Sequence, residues 1–427
     1  MDPYAALPLP QSAFVLALSL VLVSPLALAG VALMNAGLGR SRSAAQSMLG
    51  TLALIAVSVI VFALIGAMFA YGDTGYTFTV GGRPWNWIGA GSFALRGFSA
   101  ETVQSQLSTL FQFIAVAFVV LIAWGSGADR LRVAAGLAAS AILAALVFPM
   151  LAYWAWGTGW LTQLGLNFSL GEGFLDPGAA TVHVLGGLSA LAIVWIAGPR
   201  RGKFPKEGLS TAMPGHNAVY VLFGGLLALV GFLAWNMAGA LMWADLPPTE
   251  LVVTAVNTLL EAACALAVTF AVTRIRFGKP DASLCANGWM AGLVTSTACA
   301  AVASPLEALL AGVVAGLITP LLVELLELFL SIDDPSGAIT VHGVCGLWGL
   351  FAAGLFASQS GQVLAQLVGI AALLGVIFPL VYFLFWAVNL VLPFRVDPDG
   401  ERIGMDLHEL GGSAYPEFVV HRDDSYR

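Results

Sequence analysis

The sequence predicts an all-α polytopic membrane protein of eleven transmembrane helices, built as a 5+5 inverted repeat with the N-terminus out and the C-terminus in. Three observations carry this. The 427 residues are 59% hydrophobic and only 10% charged, with a mean hydropathy of +0.90, too little charge to cover a water-soluble fold of this size. Apolar runs of the roughly 20 residues needed to cross a bilayer fill nearly the whole chain. One fourteen-residue pattern also occurs twice, five spans apart.

Taken in order, the spans fall at 12–36, 45–71, 104–125, 131–155, 178–198, 216–243, 250–274, 283–302, 304–328, 337–357 and 363–392. The first is long enough to be retained as a span. Met1-Asp2-Pro3-Tyr4 ahead of it carries no basic residue, which argues against a cleavable signal peptide. Residues 1–392 are therefore expected to form the transmembrane domain, with repeat one at 12–198, repeat two at 216–357 and the eleventh span at 363–392. Residues 393–427 form a cytoplasmic tail. Between the second and third spans, the polar stretch 72–101 contains Trp85, Asn86 and Trp87, and its glycine and aromatic content predicts an ordered cap. With the N-terminus outside, the loops expected in the cytoplasm and the tail hold 15 of the 17 basic residues; only Arg83 and Arg96 lie outside. That asymmetry requires an odd number of spans. Cys264, Cys285, Cys299 and Cys345 all fall in apolar runs without metal-ligand spacing and read as small core residues. No nucleic-acid signature, metal cluster or catalytic constellation is present, so the expectation is a transport protein rather than an enzyme, with no cofactor.

The repeat runs from Gly178 to Leu191 (GAATVHVLGGLSAL) and from Gly337 to Leu350 (GAITVHGVCGLWGL), identical at 8 of 14 positions and each preceded by Asp-Pro. Five spans is an odd number, so the second copy must run opposite to the first. In inverted repeats, transport sites form at the repeat interface near the midplane. His183 and His342 occupy matched positions, five residues past each leading glycine, and are expected to approach each other at the centre. A single buried histidine reads first as a hydrogen-bonded core residue; a matched pair inside the hydrocarbon favours function. Burial disfavours the imidazolium, and each neutral ring then offers one donor and one acceptor. Such a line suits ammonia, water or a relayed proton. The other three histidines, His216, His408 and His421, lie at a loop end or in the tail and carry no such signal.

Along nearly its full length the sequence resembles the ammonium transporter family (Amt/Mep, with the related Rh proteins). The resemblance rests on Phe111-Gln112, Asp129-Arg130, Trp156-Gly157-Thr158-Gly159, Asp176 through His183, Trp235-Asn236, and above all Ile332-Asp333-Asp334-Pro335 through Gly349. It implies an eleven-span homotrimer in the cytoplasmic (inner) membrane, with a pore in every subunit. Ammonium is recruited at an outer aromatic site and deprotonated there; ammonia passes the twin histidines while the proton takes a coupled route. By this resemblance His183 and His342 are the twin histidines. Trp156 is the outer-vestibule tryptophan, suited to holding a cation on its face. Phe111 lies at the pore mouth, and Asp176 is the supporting carboxylate, for which a helix N-cap is the compatible structural reading. The sequence also departs from the family. The gating phenylalanine position holds Ala115, the second gate position Trp235, the recruitment-site serine position Gly239, and Gly337 stands where an aspartate is usual. Cation recognition is thereby weakened or rearranged. Phe113, Phe118 and Trp124 are the residues available to compensate.

Gly404-Met405-Asp406 and Ala414-Tyr415 resemble the family's regulatory tail, which implies a PII-type partner there; a solvated tail is the alternative. Glu261 faces either the vestibule or a subunit interface, Glu307 is interfacial, and Glu324, Glu327, Asp333 and Asp334 read as a solvated helix end. Two other functions compete with transport. One is an ammonium sensor acting through a separate partner, or a channel whose modified gate passes another small permeant such as methylammonium or carbon dioxide; the other is haem ligation by the two histidines. The latter needs a wide pocket that nothing else in the sequence suggests.

Overall fold

Inside lipid every backbone N–H and C=O must find a partner within the chain, so long apolar runs become helices. The computed structural model describes residues 10–70, 75–177, 180–207, 210–243 and 246–416, with Ala180 described by its backbone alone. The motif residues Gly178 and Ala179, the first nine residues and His421 lie outside the described residues. In order, the principal helices are α1 (Gln11–Leu38), α2 (Ser41–Ala70), α3 (Val103–Ser126), α4 (Val133–Trp156), α5 (Ala180–Ala197), α6 (Ala218–Trp243), α7 (Leu251–Phe277), α8 (Ala282–Cys299), α9 (Pro305–Leu330), α10 (Ile339–Phe356) and α11 (Gln362–Val391). Among the described residues nine of these are long and apolar enough to cross a membrane. The two outside that group are α5 and α8, each of 18 residues. The chain is a multi-pass membrane protein.

Proline shapes several of these rods. Pro25 lacks the N–H that the first segment of α1 would need to continue, and the helix breaks at Ser24. In α4 and α11 a π-turn, Leu143–Val147 and Leu373–Ile377, precedes Phe148-Pro149 and Phe378-Pro379. The widened turn accommodates the proline ring against the carbonyl it would otherwise strike. The most enclosed spans are α3, with 89% of its apolar window buried, and α10, with 67%, against 50% or less for the other seven. These two, with α5 packed on both, form the centre of the molecule.

The polar stretch before α3 is ordered, but it adds a small sheet to the expected all-helical fold. Strands β1 (Tyr76–Val80) and β2 (Arg83–Ile88) pair antiparallel, turning through Gly81 and Gly82, both at positive φ. The hairpin is pinned to the end of α4 and the loop after it. Trp154 Nε1 donates to Trp87 O at 2.6 Å, Trp160 N to Asn86 O at 2.9 Å, and Asn86 Nδ2 to Thr158 O at 2.8 Å.

At the opposite end, where a solvated helix end was expected, Asp333 is instead the centre of a buried ion network, while Glu324 and Glu327 are half-buried. Arg200 donates to Asp333 through Nε at 2.9 Å and Nη2 at 2.8 Å, and to Asp129 through Nη1 at 3.2 Å. Arg130 Nη2 donates to Asp333 O at 2.7 Å. Burial alone would raise Asp333, but hydrogen bonds and charge from Arg200 and Arg130 outweigh it and hold its carboxyl at about 2. Glu327 pairs with Lys203 at 2.7 Å and Glu324 with Arg276 at 2.6 Å. The α3–α4, α5–α6 and α9–α10 connections are thereby tied together. Spacing in sequence missed the Asp129–Arg200–Asp333–Arg130 network because its partners lie 71 to 203 residues apart.

The described part of the tail is docked, not solvated. Asp406, 1% exposed, accepts from Gln46 N at 2.7 Å and Ala45 N at 3.2 Å, capping the α-helical part of α2. Glu409 does the same for α4, accepting from Val133 N at 3.1 Å and 3.2 Å. His216, which carried no signal in sequence, bridges Gly39 O at 3.1 Å and the Tyr415 hydroxyl at 3.0 Å. Glu261 faces neither a vestibule nor the outer surface. It is fully buried, with Cys299 Sγ of α8 at 3.4 Å and 3.5 Å from its two oxygens. Glu307 is half-buried and forms a capping box with Ser304 at the start of α9. Three of the four cysteines are buried and Cys264 half-buried, all as free thiols.

Candidate conduction site

The two histidine-bearing helices approach closely because of glycine. A Cβ placed on Gly187, one turn past His183, would lie 2.3 Å from Gly343 N and 2.4 Å from Gly343 Cα. Only hydrogens fit between α5 and α10 at that point. Each helix start is capped by an aspartate: Asp176 Oδ2 accepts from Thr181 N at 3.1 Å, and Asp334 Oδ2 from Ile339 N at 2.7 Å. From capped amide to histidine there are two residues in the first copy and three in the second. The second copy begins as a π-turn, Ile339–Val344, which takes up one more residue per turn than an α-helix. The unequal Asp-to-His spacing is absorbed there.

His183 is 0% and His342 5% exposed. Their Nδ1 atoms are 3.3 Å apart and their ring centroids 5.2 Å, so one Nδ1 carries a hydrogen and the other accepts it. His183 Nε2 is buried with no hydrogen-bond partner among the described residues. Around it the wall is aromatic. Phe118 meets the His183 ring edge-on at 5.1 Å, and Phe232 stacks on it at 5.3 Å and 13°.

Toward the hairpin end, Phe111 and Trp235 stack at 4.1 Å and 22°, both fully buried. Trp235 also contacts Phe118 at 5.7 Å. The rotation of α6 that aims Trp235 is fixed by its neighbour Asn236, whose Nδ2 donates to Thr258 at 3.0 Å and Ser296 at 2.8 Å. Ala115 and Gly239 are buried and add no ring or hydroxyl. Beyond the stack, half-buried Trp156 meets Phe111 edge-on at 5.9 Å, and its Nε1 donates to Asp176 O at 3.2 Å. The loop carrying Asp176 is held by α11: Gln366 Nε2 donates to Leu175 O at 2.8 Å and Gln362 Nε2 to Gly173 O at 2.7 Å.

On the far side of the pair the lining is mixed, with polar side chains set among Val31, Met34, Ile122 and Met290. One cavity is bordered by His342, Asn35, Asn287 and Ser336; a second shares Asn35 and reaches Gln46 and Asp129 in the tail-end network. The histidines thus stand between a closed aromatic column and small cavities of mixed lining. Of the three residues available to fill the Ala115 gap, only Phe118 reaches the histidines. Phe113 packs on Phe62 at 5.5 Å, and Trp124 Nε1 donates to Ser47 O at 3.0 Å. Phe232 and Trp243 were not singled out in sequence. Their signal was present in the helical spacing of 232, 235, 239 and 243, which share one face of α6.

Fold and site together define a polytopic membrane protein with a buried imidazole pair walled by aromatic rings. The model of the Ammonium Transporter Family matches residues 13–415, and the chain belongs to that family. It is 33% identical to the ammonium transporter Amt2 of Archaeoglobus fulgidus over 414 residues, covering 92% of this chain and 85% of that one. It is 29% identical to the ammonium transporter of Bacillus subtilis, over 91% of this chain and 94% of that one. Among solved structures it is similar to a sensor Amt protein, with a TM-score of 0.84 and 25% identity over 93% of this chain and 98% of that one. Candida albicans Mep2 has the same fold, with a TM-score of 0.78 and 24% identity over 96% of this chain and 91% of that one.

Proposed function

We propose that this protein carries ammonium or ammonia across the cytoplasmic (inner) membrane, through a separate path in each subunit of a homotrimer. Helices α1 to α11 are each read as a span, N-terminus out, with α1–α5 and α6–α10 as the inverted repeats and α11 completing the bundle. The hairpin end is then outside and the docked tail inside. Ammonium meets Trp156 and Phe111 at the outer end, where the ring faces favour a cation, and Asp176 supports that site through the Trp156 indole. Moving the bare cation past His183 is too costly in an apolar column. Ammonium therefore gives up its proton at the outer end, and neutral ammonia passes along His183 and His342 while the proton takes a coupled route.

The observation that carries this reading is the 3.3 Å contact between His183 and His342 inside an otherwise aromatic wall. Neutral imidazoles offer ammonia a donor and an acceptor without adding a fixed charge. Growth rescue tests it: in a host lacking its own ammonium transporters, the wild-type chain restores growth on low ammonium, and His183→Asp and His342→Ala do not. Full rescue by both variants sinks the assignment. The Phe111–Trp235 stack at 4.1 Å favours a second reading, in which the chain binds ammonium but conducts poorly and signals to a PII-type partner through its tail. Calorimetric binding of ammonium without growth rescue is the result that selects it.

A further inference from the structure

Where the resemblance to the family implies a serine at the recruitment site, this chain has Gly239. Trp243 lies four residues on, on the same face of α6, and a helical side chain leans back over the preceding turn. Its indole is half-buried, lies nearly parallel to Trp156 with centroids 5.6 Å apart at 17°, and meets Phe111 at 6.2 Å. The Trp156 N–H is used by Asp176 O, and the Asp176 carboxylate is engaged by Thr181. The Trp243 N–H finds no acceptor among the described residues. A cation arriving at this end therefore meets two half-buried indoles, with the buried Phe111 ring against both, and no side-chain hydroxyl at the serine position.

Resting on the transport reading above, we propose that Trp243 sets the specificity of the outer site and turns it toward alkylated ammonium ions, methylammonium first among them, at the expense of ammonium. The chemistry is differential. Ammonium carries four N–H donors and needs acceptors to replace the water it leaves; a missing hydroxyl leaves one of them unmet. Methylammonium has one donor fewer, and its methyl group packs on an indole face while the charge still meets the ring quadrupole. Aromatic cages select alkylated ammonium groups in this way. Discrimination by a lost hydrogen bond exceeds that by a methyl contact alone, so the two changes act in the same direction.

The test is calorimetric titration of the purified full chain with methylammonium chloride and with ammonium chloride, alongside Trp243→Leu, Trp243→Phe and the pair Gly239→Ser/Trp243→Leu. The wild-type chain binds methylammonium the more tightly. Trp243→Leu lowers the methylammonium-to-ammonium affinity ratio about tenfold, the pair lowers it further, and Trp243→Phe, which keeps a ring, falls between. A wild-type preference for ammonium overturns the proposal, as does an unchanged ratio in a Trp243→Leu or Trp243→Phe protein that still binds. Wild-type binding of neither cation overturns the ammonium reading itself and is thereby distinguishable.

Discussion

At the scale of single residues, the strongest interactions in this protein are not at the path but beneath it. Asp333 is 1% exposed in its side chain and held between Arg200 and Arg130. A carboxyl moved from 3.8 to about 2 contributes about 2 kcal/mol of stability at neutral pH. The shift is downward, so that stability is present above the unfolded value and is lost as pH falls through the folded one. Thermal unfolding in detergent is accordingly expected to show this contribution intact down to about pH 4 and disappearing between pH 4 and 2. Asp333→Asn removes the carboxylate that Arg200 and Arg130 share, leaving Arg200 with Asp129 alone, and is expected to cost about 3 kcal/mol at pH 7. A melting temperature unchanged in this variant would remove the network from the stability account. The histidines are a different case: their mutual contact leaves His183 Nε2 unpartnered among the described residues, a polar atom left available rather than consumed by packing.

At the scale of elements, the site depends on how closely α5 and α10 cross. Gly187→Ala places a methyl group 2.3 Å from Gly343 N, so the helices must separate, by an ångström or more on van der Waals grounds. The Nδ1–Nδ1 contact breaks with them. Ammonium-dependent current is expected to be lost while the detergent-purified protein keeps its helical circular dichroism and oligomeric state; full current in this variant would mean the crossing does not govern the path. Element scale is also where the sequence was most legible. Matched Asp-Pro and histidine positions located both site helices, and the aromatic-rich polar stretch was readable as an ordered cap. The π-turn at Ile339–Val344 was not, because a single extra residue between cap and histidine fits a longer loop as well as a wider turn. Phe232 and Trp243 went unread for a related reason: on an apolar helix, rings at core spacing look like packing until the partner helix is in place. The charge network and the tail's caps were hidden by distance, since Asp406 meets Gln46 across 360 positions.

At the scale of the whole molecule, the histidine pair sits in the enclosed centre of α3, α5 and α10, between the buried Phe111–Trp235 stack and a polar floor built on Asp333, Arg200 and Asp129. The docked tail joins that floor to α2 and α4, so any partner that lifts the tail acts on the helix ends that frame it. Solid-supported-membrane electrophysiology on the purified protein in liposomes, pulsed with ammonium, tests the central claim most directly. The account expects a saturable current in the wild-type chain that vanishes when both His183 and His342 are replaced by alanine. An undiminished current in that double variant would contradict it.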